Sequence, residues 1–286
     1  MGLVANLVEL ADIEPSLGTE ELHLFDVRWY LDGRSGHRAF LEKHIRSAMF
    51  LDLDTCLCDP STVDPALGRH PLPDPKSFES VLTSFGVSKS QLLVFYDDQA
   101  GSIAARAWWM ASAIGYQAAL LNGGLSAASN SMFESGESPI RSMPRLPYTS
   151  STMSWDPDLV ISEPELKALL SQGNAILLDA RSKERYLGIN ETVDPKAGHI
   201  PGAVSAFWRQ NVDRRNRFKH PNEIAKNFLQ LGIGPTTEKE VISSCGSGVT
   251  ACHNIFTLQY ALQLQARLFP PSFSGWCHTL GNEIET

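Results

Sequence analysis

Short apolar runs alternate along this chain with longer segments that have helical character. The apolar runs lie at 22–25, 92–96 and 175–178, and a shorter one lies at 241–242. The helical segments lie at 75–85, 163–172 and 249–264. Strands that alternate with helices are typical of a parallel sheet covered by helices, because parallel strands need long crossover connections. The pattern therefore predicts an α/β fold.

The pattern occurs twice, once in each half of the chain. Residues 22–28 match 175–181, residues 43–48 match 198–203, and residues 92–96 match 239–243. Such self-similarity indicates two copies of one domain. A segment rich in serine, proline and methionine separates the two copies. We therefore predict domains at 1–135 and 158–286, joined by a linker at 136–157.

The composition is typical of a folded protein, and the net charge argues against some classes of binding partner. The chain has 286 residues, of which 43% are hydrophobic and 20% are charged, enough for two ordinary globular domains. Its formal net charge of −8 argues against nucleic acid and anionic membranes as partners. Residues 1–10 contain Asn6 and Glu9 and lack the basic start of a signal peptide. We therefore expect a cytoplasmic protein.

The cysteines predict neither a disulfide framework nor a metal site. Five cysteines is an odd number, and Cys56 and Cys58 do not have the spacing of a zinc ribbon. Together with Cys252 and Cys277, they are interpreted as ordinary thiols. We expect no metal and no cofactor.

Cys245 has a different setting, because it lies between an apolar run and a helical segment. The residues that follow it are Gly246, Ser247 and Gly248, which allow a tight loop. In such a loop the backbone amides converge at the positive end of a helix, and they stabilise a thiolate, the nucleophilic form of cysteine. A phosphatase is excluded, because it needs an arginine where this chain has Ala251.

Several further motifs join this loop. They are Asp26-Val27-Arg28-Trp29, Gly68-Arg69-His70-Pro71-Leu72-Pro73, Asp179-Ala180-Arg181, Arg185-Tyr186-Leu187-Gly188 and Gly198-His199-Ile200-Pro201-Gly202-Ala203. With Cys245-Gly246-Ser247-Gly248-Val249-Thr250-Ala251, they resemble the rhodanese superfamily, and the loop is most similar to that of its 3-mercaptopyruvate sulfurtransferases. The resemblance implies two rhodanese-like domains, each a mostly parallel sheet flanked by helices. It also implies sulfur transfer from a small anionic donor to a thiol such as thioredoxin, or to cyanide.

The resemblance also assigns roles to residues. Cys245 would carry the sulfur as a persulfide, and the loop residues Gly246, Gly248, Val249 and Thr250 would bind it, although Thr250 has helix capping as an equal alternative. Arg185 would hold the donor anion. Asp54, His70 and Ser247 would help the donor's enolate to leave, the alternative being that His70 only packs between domains.

Two departures from the family pattern affect these expectations. Asp194 stands where mercaptopyruvate enzymes usually have a second arginine for the donor, so thiosulfate remains an alternative donor. In the first copy, an alignment on Gly101 and Gly248 places Asp98 opposite Cys245, so that copy is predicted to be silent. A more distant alternative is a non-catalytic, sulfur-binding or redox-sensing protein.

Overall fold

A computed structural model describes residues 2–137 and 154–286 and confirms an α/β fold. Most of the linker predicted at 136–157 lies outside the described residues. The described residues divide into two compact units, and each unit contains a parallel sheet with helices packed on it. No helix among them is long and apolar enough to cross a membrane.

Each unit takes in a short segment from the opposite half of the chain. Residues 61–72 belong to the second unit together with 155–211 and 219–286. Residues 212–218 belong to the first unit. The domain boundaries predicted from the sequence stay a prediction, and no pattern along the chain marks these two segments.

The strands of the first unit are β1 (Asn6–Val8), β2 (Leu22–Asp26), β3 (His44–Ile45), β4 (Ala48–Phe50), β5 (Leu92–Tyr96), β6 (Gln117–Leu121) and β7 (Phe133–Glu134). Five of them form a parallel sheet with the order β1-β6-β5-β2-β4, and β3 and β7 form a small antiparallel pair. Its helices are α1 (Leu10–Ile13), α2 (Gly36–Glu42), α3 (Leu53–Cys56), α4 (Pro75–Ser84) and α5 (Ala104–Ala113). Short 3₁₀ helices cover Glu14–Ser16, Gly124–Ala127 and Asn130–Met132.

The strands of the second unit are β8 (Ala175–Asp179), β9 (Ala203–Ser205), β10 (Glu240–Ser244) and β11 (Arg267–Leu268). They form a parallel sheet with the order β11-β10-β8-β9. Its helices are α6 (Glu163–Ser171), α7 (Lys183–Tyr186), α8 (Pro221–Gln230), α9 (Ala251–Leu262) and α10 (Ser272–Trp276), with 3₁₀ helices at Pro65–Leu67 and Trp208–Asn211. The three predicted helical segments correspond to α4, α6 and α9.

Matching contacts in the two units support the internal repeat. Arg28 donates to the Asp26 carboxylate after β2, and Arg181 makes the same bonds to Asp179 after β8. His44 hydrogen-bonds the Phe40 carbonyl at 2.9 Å, as His199 does the Tyr186 carbonyl at 2.8 Å. Both imidazoles also stack on the ring of that same partner. These six polar residues, three in each unit, therefore have matching structural roles.

Candidate active site

Cys245 is the first residue after β10, at the carboxyl end of the second sheet, and its side chain is buried. The amide of Cys245 donates to Oγ of Ser272 at 3.1 Å. The carbonyls of Cys245 and Gly246 accept from the amides of Phe273 and Ser274 at 3.0 and 2.8 Å. These bonds fasten the start of the loop to α10 and hold the sulfur at a set position.

Four backbone amides of the loop between Cys245 and α9 are open in the part of the chain that the structure describes. Among the described residues, none accepts a hydrogen bond from the amides of Gly246, Ser247, Val249 or Thr250. The tight turn depends on Gly248, whose φ of +76° lies in the left-handed region that glycine adopts without strain. Unpaired amides at the start of a helix favour an anion, because they and the helix dipole present positive charge.

In the first unit, the loop that follows β5 surrounds one of its own side chains, that of Asp97. Asp97 is the first residue after β5, and its carboxylate is fully buried. Four loop amides donate to it at 2.8–3.0 Å, those of Gln99, Gly101, Ile103 and Ala104. In the first unit a carboxylate therefore accepts from the loop amides, whereas in the second unit the amides of Gly246, Ser247, Val249 and Thr250 have no acceptor among the described residues.

The strand register corrects the residue predicted opposite Cys245. Tyr96 pairs with Asp26 in the first sheet, as Ser244 pairs with the equivalent Asp179 in the second. The next residue is Asp97 in one loop and Cys245 in the other, so the predicted match with Asp98 is wrong. The error arose because the first loop is one residue longer between its strand and its glycine. Asp98 instead accepts a hydrogen bond from the Tyr30 hydroxyl at 2.6 Å.

This difference predicts unequal effects of two neighbouring substitutions. We expect Asp97→Ala to lower the free energy of unfolding by at least about 3 kcal/mol, because it leaves several buried amides without an acceptor. Asp98→Ala removes one hydroxyl bond and serves as the matched control. Urea-induced unfolding of the two variants measures both effects. Equal losses for Asp97→Ala and Asp98→Ala would contradict the assignment.

Of the three residues predicted to assist the leaving enolate, the second unit brings two together. Nδ1 of His70 lies 2.8 Å from Oγ of Ser247, and both side chains are buried. The segment 61–72 carries His70 into this unit. Asp54 belongs to the first unit, where its carboxylate accepts from Nε1 of Trp29 at 3.0 and 3.1 Å. A role for Asp54 beside His70 stays a prediction.

Arg185 is held by two carboxylates beside the loop. Its Nε and Nη2 donate to Glu191 at 2.9 and 3.0 Å, and Nη2 also donates to Asp194 at 2.8 Å. Both carboxylates have only 1% of their side-chain surface exposed, whereas Arg185 has 18%. The two acids therefore fix the orientation of a guanidinium that stays partly exposed.

The pKa values of the two acids are shifted in opposite directions. Burial raises the pKa of Asp194 above its usual value, and the nearby guanidiniums of Arg69 and Arg185 only partly oppose that shift. Burial acts in the same direction on Glu191, but hydrogen bonds from Arg185 and from the amides of Asp194 and Val193 bring its pKa below the usual range. Glu191 is therefore the more firmly charged partner of Arg185.

Arg69 is a site residue that sequence reasoning did not identify. Its Nη1 forms an ion pair with Asp194, so that one carboxylate holds both Arg69 and Arg185. A side-chain carbon built on Gly246 would lie 2.9 Å from Nη2 of Arg69 and 3.4 Å from Nη1 of Arg185. The two guanidiniums thus fill the space beside the residue that follows Cys245. The presence of an acid at position 194 was the one signal for such a residue, because a buried carboxylate needs a cation as its partner.

The local backbone explains how Arg69 reaches this place. Gly68 has a φ of +85°, and a side-chain carbon there would stand 2.6 Å from the Pro271 carbonyl oxygen, so only glycine fits. The next amide, that of Arg69, donates to Oγ of Ser274 at 3.1 Å. Segment 61–72 is therefore fastened to the start of α10, which also holds the Cys245 loop.

The remaining predicted residues have simpler surroundings. Thr250 stands at the N-terminal cap of α9, but its side chain makes no capping hydrogen bond. Cys252 and Cys277 are buried, as are Cys56 and Cys58 in the first unit. Among the residues that the structure describes, no group of three or more histidine, cysteine or acidic side chains is placed to hold a metal ion.

Comparison with known proteins identifies the family. The sequence matches the rhodanese-like domain over residues 10–131 and again over 162–279. The probable 3-mercaptopyruvate sulfurtransferase of Pseudomonas aeruginosa is 37% identical over 279 residues, which cover 95% of each chain. The putative thiosulfate sulfurtransferase of Mycobacterium tuberculosis is 33% identical over 261 residues, which cover 90% of this chain and 88% of that one.

A solved structure agrees with these sequence matches. The 3-mercaptopyruvate sulfurtransferase from Leishmania major resembles this protein with a TM-score of 0.76 at 26% identity, over 94% of this chain and 73% of the other. The resemblance and the two-domain α/β fold predicted from the sequence are thereby confirmed. With one family match in each half and a parallel sheet in each unit, this chain belongs to the family of proteins built from rhodanese-like domains.

Proposed function

We propose that this protein is a sulfurtransferase that moves a sulfane sulfur through a persulfide on Cys245. The donor is a small anion, with 3-mercaptopyruvate favoured, and the acceptor is a thiol or cyanide. One observation carries the proposal: the loop after Cys245 has amides without an acceptor among the described residues. The sulfurtransferase names of the Pseudomonas and Mycobacterium relatives support it.

The reaction proceeds in two displacements at sulfur. First, the Cys245 thiolate attacks the sulfur of mercaptopyruvate, so that a sulfur–sulfur bond forms and the carbon–sulfur bond breaks. The electron pair of the broken bond stays on the donor carbon as pyruvate enolate, which takes up the donor's thiol proton and becomes pyruvate. An acceptor thiolate or cyanide then attacks the outer sulfur and releases the Cys245 thiolate.

The loop amides act on the charge that this chemistry creates. A persulfide is an anion, and its outer sulfur extends beyond the cysteine into the space that the loop encloses. The amides of Gly246, Ser247, Val249 and Thr250 supply hydrogen bonds to that charge without reorganisation, since no other group has to be displaced. In the first unit, Asp97 takes these bonds itself, and that loop therefore has no place for a second anion.

His70 and Ser247 carry the proton in this mechanism. The imidazole and the hydroxyl lie within one hydrogen bond of each other, and Ser247 is two residues from the nucleophile. A hydroxyl polarised by an imidazole takes the donor's thiol proton and returns it to the enolate carbon. Asp54 is proposed to orient His70, as the family resemblance implies.

Removing the His70 imidazole is expected to lower the activity with mercaptopyruvate more than the activity with thiosulfate. Sulfite leaves thiosulfate without needing a proton, whereas the enolate of mercaptopyruvate needs one. We expect His70→Ala to lower kcat/KM for mercaptopyruvate at least about tenfold more than for thiosulfate, because general acid catalysis contributes to one reaction only. Steady-state assays with both donors and cyanide as acceptor measure the ratio.

Ser247→Ala is the companion variant, because it removes the hydroxyl and keeps the imidazole. It should shift the donor ratio in the same direction as His70→Ala if the two residues act as a pair. An equal loss for both donors in His70→Ala would mean that His70 has a structural role and moves no proton.

A thiosulfate sulfurtransferase is the second candidate, and one observation favours it. Guanidiniums of Arg69 and Arg185 stand beside Gly246, and thiosulfate is a dianion that gains from cations near the nucleophile. The relevant experiment compares kcat/KM for the two donors on the purified protein. A larger value for mercaptopyruvate is expected, and a larger value for thiosulfate would reverse the donor assignment. If Cys245 is alkylated but the protein turns over neither donor, the result would favour a redox-sensing role for Cys245 over sulfur transfer.

The partners are proposed at the level of chemistry. Thioredoxin and cyanide are both suitable acceptors, since each presents a small sulfur or carbon nucleophile to an outer sulfur. The proposed reaction uses no cofactor and no metal. The cytoplasmic location expected from the sequence remains a prediction.

A further inference from the structure

We propose that Arg69 is the second donor-binding cation of this site, so that a residue from segment 61–72 does what an arginine at position 194 would otherwise do. This inference rests on the proposed sulfur transfer and extends it to donor recognition. Three observations carry it: the ion pairs around Asp194, the direction of the remaining guanidinium nitrogens, and the net charge of the cluster.

Asp194 uses its two oxygens on two different arginines. Oδ1 pairs with Nη1 of Arg69, and Oδ2 accepts from Nη2 of Arg185 at 2.8 Å. The carboxylate is buried, whereas Arg69 keeps 29% of its side-chain surface exposed. The acid therefore joins the two guanidiniums side by side, and the donor anion approaches from the side that remains accessible.

Among the described residues, Arg185 has one guanidinium nitrogen without a partner and Arg69 has two, and one nitrogen of each arginine lies beside the residue after Cys245. In the part of the chain that the structure describes, Nη2 of Arg69 and Nη1 of Arg185 have no hydrogen-bond partner. These are the atoms nearest to a side-chain carbon built on Gly246. The two nitrogens therefore lie next to the residue that follows the nucleophile, where they can donate to the carboxylate or sulfonate group of a donor. Two guanidiniums suit such a planar or trigonal anion.

The charges of the cluster make the second cation necessary. Glu191 and Asp194 are both within hydrogen-bond distance of Arg185, and Glu191 also lies 3.5 Å from Arg181. Because Arg181 is itself paired with Asp179, these three carboxylates and two guanidiniums leave a negative charge. Arg69 brings the sum to zero. Without Arg69, an anionic donor would meet net repulsion at the entrance to Cys245.

The experiment compares three variants of the full-length protein. Arg69→Gln and Arg69→Met are neutral and of similar length, so that one of them remains usable if the other does not fold. Arg267→Gln is the matched control, because Arg267 has 14% of its side chain exposed and pairs with two carboxylates, Glu165 and Glu240, at β11. Loss of a charged hydrogen bond should raise the donor KM by roughly 10- to 100-fold in the Arg69 variants, with a smaller change in kcat. Arg267→Gln should keep the wild-type KM.

A second readout does not depend on sulfur transfer. Iodoacetate and iodoacetamide alkylate the same thiol, but only iodoacetate carries a carboxylate. We expect the ratio of their rates at Cys245, followed by mass spectrometry of its peptide, to fall about tenfold in both Arg69 variants. The ratio should keep its wild-type value in Arg267→Gln. Because the ratio compares two reagents on one thiol, a general change in thiol reactivity cancels.

The outcomes separate this proposal from the one on which it rests. A wild-type alkylation ratio in both neutral variants overturns the role of Arg69. If the wild-type protein turns over neither mercaptopyruvate nor thiosulfate, the proposed function fails, while the alkylation ratio still decides whether Arg69 serves an anion at Cys245. If Arg69→Lys recovers only part of the wild-type donor KM, the result would further support binding of the donor through the hydrogen bonds of the guanidinium as well as through its charge.

Discussion

Replacing Cys245 with serine is expected to abolish sulfur transfer from both donors, by more than about a thousandfold in kcat. A hydroxyl in the same loop cannot form a persulfide, whatever hydrogen bonds the loop supplies. The measurement is steady-state turnover with mercaptopyruvate and with thiosulfate. Mass spectrometry after donor treatment should find one added sulfur on the Cys245 peptide of the wild-type protein and none in the variant.

The other cysteines provide the controls for this result. Burial raises the pKa of Cys56 to about 11, that of Cys58 to about 12, and that of Cys277 above its usual value, so these thiols stay protonated near neutral pH. Serine substitutions at these positions should keep the persulfide on Cys245. A persulfide that forms on another cysteine and survives in Cys245→Ser would contradict the assignment.

The second large effect is expected for Arg185→Ala, which should damage both donor binding and stability. Loss of the guanidinium should raise the donor KM by roughly 10- to 100-fold, the equivalent of one charged hydrogen bond. It also leaves Glu191 and Asp194 buried with fewer cations, which should lower the free energy of unfolding by about 3 kcal/mol or more. Donor titrations and urea-induced unfolding measure the two effects separately.

Arg185→Lys helps to separate these two roles. Lysine retains the charge but does not bridge Glu191 and Asp194 through two nitrogens, so it should recover more stability than donor affinity. An unchanged KM for every anionic donor in Arg185→Ala would make Arg185 a structural ion-pair partner only.

Much of the fold was predictable because the apolar pattern reflects local geometry. The segments at 75–85 and 163–172 became α4 and α6, since their apolar residues recur at helical spacing and each begins with a proline in the first turn. The runs at 22–25 and 175–178 became central strands that are covered by helices. Neither observation needs information about distant parts of the chain.

The candidate site was predictable only where its residues are close in sequence or belong to a family motif. Cys245 and the loop up to Thr250 form one continuous segment, so their spacing already defines a turn before a helix. His70 and Ser247 were paired through the family resemblance, and the structure brings them to 2.8 Å. Physical reasoning from the residues alone would not have joined two positions so far apart.

The sequence by itself determined the fold class, the internal repeat, the nucleophile loop and the absence of a cysteine from the matching loop of the first copy. The tertiary structure alone decided that Asp97 closes the silent loop and that Arg69 stands beside Arg185. A sequence alignment on the loop glycines is shifted by one residue when the two loops differ in length. The pairing of the strands is not affected by loop length, so it identifies Asp97 as the residue that matches Cys245. The ion pair between Arg69 and Asp194 cannot be predicted from a pattern in the sequence, because it forms only when segment 61–72 packs within the second unit.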